Sequence, residues 1–233
     1  MFFAHLTLIH KLYSGTIANQ IFCIMNLLEM RMNIFSTDPN PIYSARNLDD
    51  VRCNKMIIES AALLANAIAF YGGKDSDLPI AKTSGKPFKT KAWQNHPSCL
   101  WVKESRSNYE WLLNHMIALI DEMQFRKTTV HSMTSNIDIF KRGIGFIPAG
   151  ELTPFANCTP YKNITDTVDA YRMTMVYKWE HDGVVPKWTK RDIPDWYNQS
   201  SIQVTKNTIG EFPWTGLRQS RSKRVTGWLT NEI

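Results

Sequence analysis

The sequence predicts a mainly α protein: a compact bundle of four to five helices, with a short N-terminal extended segment and an irregular C-terminal arm. Two observations lead there. Apolar residues recur at helical spacing in four stretches, each bounded by capping side chains, Gly or Pro. The composition, 43% hydrophobic and 21% charged over 233 residues, supplies enough apolar surface for a real core.

Residues 32–43 read as a short strand or extended arm followed by turns at Asp38-Pro39 and Asn40-Pro41. The clearest helix follows, from about Leu48 to Tyr71. Asn47 or Ser44 can cap it, Asp49 and Asp50 suit its positive end, and Gly72-Gly73 stop it. Its apolar positions (Val51, Met56, Ile57, Ile58, Leu63, Leu64, Ala67 and Ile68) cover more than one face and leave a narrow polar stripe of Arg52, Lys55, Glu59 and Asn66. Residues 74–96 read as a loop rich in lysine. A second helical region, Pro97 to Phe125, breaks near Ser105, where Ser107 and Glu110 have capping-box spacing. A third helix is expected from Thr129 to Arg142 and a fourth from Asp166 to Glu180. Beyond Val184 the period fades into a Trp- and Pro-containing stretch, a wrapping arm or a nucleic-acid-binding tail.

Three parts follow from this reading: a leader over 1–31, with Met32 as the expected natural start; a helical domain over 32–183, the part expected to carry the function; and a basic, Trp/Pro-rich arm over 184–233. The leader is apolar but interrupted by His5, His10, Lys11, Asn19 and Gln20, and no run in it reaches the ~18 residues a membrane span needs. Four cysteines without a paired C-x-x-C favour a reducing compartment, the cytoplasm (of a host cell, for a phage-encoded chain).

The net charge of +6 and a pI near 9.1 favour a polyanionic partner, nucleic acid before an anionic membrane surface. Lys86, Lys89, Lys91, Trp93 and His96, together with Arg106, are the candidate nucleic-acid contacts. Lysine neutralises phosphates, and an aromatic face stacks on an exposed base. His96 precedes Pro97 at a helix start, a place for capping or for holding a phosphate on backbone N–H groups.

Lys55 and Glu59 are i,i+4 neighbours with Arg52 a turn earlier. On an exposed helix such a pair is a surface ion pair worth ~0.3–0.5 kcal/mol. On a helix apolar around most of its girth, the stripe instead lines a cleft, and the three become candidate catalytic residues: Glu59 as the carboxylate, Lys55 as an amine able to form a Schiff base, Arg52 as a neighbouring cation. Phosphate-loop, dinucleotide-fold, zincin and hydrolase signatures are absent from the sequence, and the histidines lack metal-ligand spacing, so neither cofactor nor metal is expected.

Two blocks, LDDVRCNKMIIESAALL from Leu48 and NHPSCLWVKESRSNYEWLLNHMIALIDEM from Asn95, resemble the pyrimidine-dimer DNA glycosylases of the phage endonuclease V type. They resemble still more closely a set of phage and bacterial proteins sharing N-H-P, W, S and N-Y-x-W-L. Together the blocks span 46 residues. The resemblance implies a helical domain that bends double-stranded DNA and flips a base out. A free N-terminal amine then attacks the sugar, and a glutamate on the first long helix stabilises the cation and imine. That glutamate would be Glu59, and the histidine before the second helix His96. Three features depart from the pattern: Asn33, where the family has a Thr-like residue, is too large for routine removal of the preceding Met32; Ile58 stands where the family has an arginine before the glutamate; and the chain has an extra C-terminal arm. Alternative expectations are a non-catalytic DNA-binding or host-takeover protein, and a transferase modifying bases in phage DNA.

Overall fold

The computed structural model describes residues 33–197, and within them the chain is mainly α, as the sequence predicts. Six α-helices occur among the described residues: α1 (Pro41–Asn47), α2 (Asp50–Phe70), α3 (Pro97–Glu104), α4 (Arg106–Lys127), α5 (Ile137–Gly143) and α6 (Thr167–His181). The expected leader, 1–31, and the arm beyond Tyr197 lie outside the described residues.

The central pair is α2 against α4, with α1 and α3 packed on the same two helices. Leu63, Leu64 and Ile68 from α2, Leu112, Met116 and Leu119 from α4 and Trp101 from α3 form one buried cluster. Helix α2 is long and apolar enough to cross a membrane, yet 67% of its apolar window is buried inside the protein, the property of a core helix. It is stopped by Gly72 at φ +89°, a conformation that costs only glycine nothing. Where α5 crosses α2, a side chain on Gly143 would stand 2.5 Å from Ile68 Cδ1 and 2.6 Å from the Tyr109 hydroxyl, so glycine lets the two backbones approach.

Several local expectations are corrected. Pro41–Asn47 is a helix, because Asn40 accepts hydrogen bonds from the N–H groups of Ile42 and Tyr43 and Pro41 occupies the first turn, where its missing N–H costs nothing. Asn47 and Ser44 therefore belong to α1, and the cap of α2 is Asp49, bonded to Val51 and Arg52. The α3–α4 break falls at Ser105 as expected, but Ser105 itself caps α4 through the Asn108 N–H; Ser107 lies inside the helix and bonds the Gly150 carbonyl. The third helix is shorter than its apolar period: Thr128, at φ 56°, ends α4, a 3-10 turn covers Ser132–Asn136, and α5 begins only at Ile137. The lysine loop contains a two-stranded hairpin, β1 (Ile80–Ala81) with β2 (Lys86–Pro87), paired Ile80 to Pro87.

Residues 184–197 wrap. Trp188 is buried and donates to the Asn47 carbonyl, and Trp188, Trp196 and Tyr197 gather around Trp179 of α6. Most described tryptophans are thus core, with Trp93, 36% exposed, the exception.

Candidate functional site

The segment 33–37 is buried and irregular, with Phe35 in the left-handed region at φ 45° and the Thr37 N–H turned back on the Phe35 carbonyl. Asn33 folds its side chain back to accept from the N–H groups of Ile34 and Phe35, an Asx-type turn that fixes the direction of its own nitrogen. Ser44 of α1 bonds Phe35 and Thr37, Arg172 of α6 donates to the Thr37 carbonyl at 2.9 Å, and Phe35 meets Tyr171 edge-on. Trp111 and His115 of α4 hold the Pro39 and Pro41 carbonyls that follow. Burial pulls His115 down to about 4, so it acts as a neutral tether.

What all this aims is one nitrogen. The Asn33 main-chain N–H donates to Glu59 Oε2 at 2.8 Å. The other carboxylate oxygen, Oε1, takes Lys55 Nζ at 3.1 Å. Glu59 is only 8% exposed, whereas the Lys55 side chain is 56% exposed, so the pair bridges interior and solvent. Burial raises the Glu59 proton affinity above the usual carboxylate range, and the Asn33 N–H, Lys55 and Lys178 each pull it part of the way back. A carboxylate held on two donors, with its proton affinity raised by burial, can stabilise a cation or move a proton.

Arg52 is on the same face, but its guanidinium engages Asp49 at 2.8 Å and Asp182 at 2.5 Å. It ties the start of α2 to the end of α6. Val51 and Ile58, expected among the apolar contacts of α2, are exposed beside Lys55. Further along the stripe, Asn66 Nδ2 bonds the Ala62 carbonyl, while its buried Oδ1 has no partner among the described residues.

His96 is the cap of α3: its Nδ1 accepts from the Ser98 N–H at 3.2 Å, which leaves the ring proton on Nε2. Trp93, in the left-handed region at φ 67°, presents its ring edge-to-face to His96. Lys86, Lys89 and Lys91 are exposed on the preceding loop, which is anchored by Lys103 Nζ on the Gln94 carbonyl and by Asn136 on Ile80. Arg106 sits elsewhere. Its guanidinium donates to the Ile147 carbonyl and its N–H to Pro148, holding the 147–150 connection to the start of α4. Glu59 and His96 lie on packed helices, α2 and the cap of α3.

One residue that the sequence did not single out is Lys178, whose charge is felt at both Lys55 and Glu59. It lies 119 positions from Glu59 in α6, and nothing in the local pattern of α6 marks it.

Residues 32–136 match the family profile of pyrimidine dimer DNA glycosylases, a span that contains the 33–37 segment, Lys55, Glu59 and His96. Comparison with curated proteins and with solved structures gave no match.

Proposed function

We propose that this chain, whose residues 32–136 match the profile of pyrimidine dimer DNA glycosylases, excises a damaged pyrimidine from double-stranded DNA and cleaves the resulting abasic strand, using the nitrogen of residue 33 as nucleophile. The observation that carries this reading is the 2.8 Å contact between the Asn33 nitrogen and Glu59. Inside a longer chain that nitrogen is an amide and no nucleophile, so the active form is one in which Asn33 is the first residue, Met32 and the leader having been removed. The site geometry needs little change for this, because the same hydrogen bond then runs from an α-amine to the carboxylate.

The chemistry follows from the positions. The neutral amine attacks C1′ of a flipped nucleotide; the N–C1′ bond forms, the glycosidic bond breaks, and the base leaves with its bonding electron pair. Glu59, ionised, stabilises the positive charge that develops on the sugar, takes a proton from the attached nitrogen and passes it to O4′ as the C1′–O4′ bond breaks to leave the iminium. Removal of a C2′ proton by the same carboxylate expels the 3′ phosphate, completing strand cleavage. Lys55 beside the amine disfavours its protonation, as any neighbouring cation does. The loop carrying Lys86, Lys89, Lys91 and Trp93, with His96 at its end, serves as the surface that grips the duplex.

Lys55 is the second candidate nucleophile, favoured by its 3.1 Å contact with the same carboxylate. Duplex DNA carrying an abasic site or a thymine dimer, incubated with borohydride, tests the reading. The chain beginning at Asn33 should form a covalent adduct and Glu59→Gln should not cleave. No adduct from any form of the protein would leave a non-catalytic DNA-binding protein as the better account.

A further inference from the structure

Helix α6 lies outside the 32–136 segment that carries the family match, yet it touches both halves of the site. Towards the 33–38 segment, Arg172 donates to the Thr37 carbonyl and pairs with Asp38 at 3.7 Å, while Tyr171 packs on Phe35. Towards α2, Trp179 Nε1 donates to Asp49 Oδ2 at 2.6 Å, and Asp182 closes on Arg52. Between these two anchors α6 presents Lys178.

The stem of Lys178 is covered, and its side chain is 17% exposed. Its ammonium approaches Asp182 only to 3.9 Å, beyond hydrogen-bonding range, and makes no hydrogen bond to a described residue. Asp182 is already taken at short range by Arg52. Among the described residues no acceptor lies within hydrogen-bonding range of its N–H donors, and the one carboxylate within 4 Å, Asp182, is held by Arg52 of the stripe that carries Lys55 and Glu59. Burial lowers its hold on its proton, so an anion placed beside it would favour the charged form. An ammonium in that position suits an oxyanion arriving from solvent.

We propose that Lys178 is a substrate-binding residue of the Glu59 site, donating to a phosphate oxygen of the DNA backbone beside the sugar under attack. The inference rests on the glycosylase reading above and adds a residue from α6 to the machinery of the 32–136 segment.

The test is duplex DNA carrying a thymine dimer, bound at several salt concentrations by the wild type, Lys178→Met and Lys178→Arg. The Met variant should bind roughly tenfold more weakly. Its slope of log affinity against log salt should be shallower by about 0.9, as expected when one phosphate fewer is neutralised. The Arg variant should keep the slope. Acetylation of the wild-type protein, mapped by mass spectrometry, provides a second measurement free of folding effects: DNA should shield Lys178 and leave Lys162 reactive. An unchanged slope in a folded Met variant, or equal acetylation of Lys178 with and without DNA, overturns the inference while leaving the glycosylase reading intact. Absence of DNA binding by the wild type overturns both.

Discussion

Two buried carboxylate sites share helix α2 and are built in opposite ways. At one end, Glu122 accepts from Arg126 at 3.0 Å and from two nitrogens of Arg191 at 3.0 and 2.7 Å, and Asp50 accepts from Arg126 and from both the N–H and the hydroxyl of Thr189. Those donors outweigh burial and hold both carboxyls below their usual range. At the other site Glu59 has one amide and one half-exposed lysine, and burial wins. The first cluster is saturated and acts as a latch, fastening residues 189–191 to α2 and α4. The second is short of donors, which makes it costly to the fold and available to a substrate. In the proposed reading, under-satisfaction separates the reactive carboxylate, Glu59, from the structural ones.

Breaking each cluster should therefore give opposite phenotypes. The largest effect expected is on chemistry: Glu59→Gln lowers strand cleavage by about 10³-fold, within the range for losing a positioned acid–base group. The same change leaves Tm unchanged or raises it, since it removes a buried charge. A thermal melt run beside the cleavage assay reads both.

Arg126→Ala removes the buried cation that Asp50 and Glu122 share and should cost about 3–5 kcal/mol, read by urea unfolding. Acid separates the clusters in the same way. Asp50 and Glu122 have folded pKa values below their unfolded ones, so their stabilisation is present above the unfolded values and drains away as pH falls through the folded ones. Glu59 is shifted the other way: its protonated form is the one the fold favours, and its ionised form at neutral pH is a standing cost. Stability followed from pH 7 downwards should fall in wild type, and the fall should be shallower in Glu122→Gln.

Activity should fall on the acid side as Glu59 takes up its proton, at a pH above the usual carboxylate range. Because Lys55 holds that proton affinity down, Lys55→Met should move the acid limb of kcat/KM to higher pH. A limb that stays put would show that Lys55 acts on something else.

The smallest effects belong to the surface. Lys86→Ala, Lys89→Ala and Lys91→Ala should each flatten the salt dependence of DNA binding by about 0.9, with Tm untouched.

How much of this was legible in the sequence divides along the same line. The course of α2, the break at Ser105 and the extent of α6 came from local signals: apolar spacing, a cap, a glycine. The pairing of Lys55 with Glu59 is local too, one turn apart, and Glu59 was reachable through the family resemblance. The partner of Glu59 on the other side is 26 residues away and is a main-chain nitrogen, which carries no side-chain signature. Arg52 looked like a third member of the stripe, yet its charge is shared with Asp182, 130 residues on. Lys178 reaches the site only because Trp179 and Tyr171 dock α6. Helix α1 was missed for a different reason: Pro39 and Pro41 read as turn residues, and seven residues are too few to show a period.

The central claim is that the nitrogen of residue 33, presented to Glu59, is the nucleophile. The most direct measurement is peptide mapping of the borohydride-trapped adduct formed by the chain that begins at Asn33 on duplex DNA with an abasic site. The account predicts the sugar fragment on the Asn33 α-amine and on no lysine. An adduct on Lys55, or on any other side-chain amine with Asn33 unmodified, would contradict it.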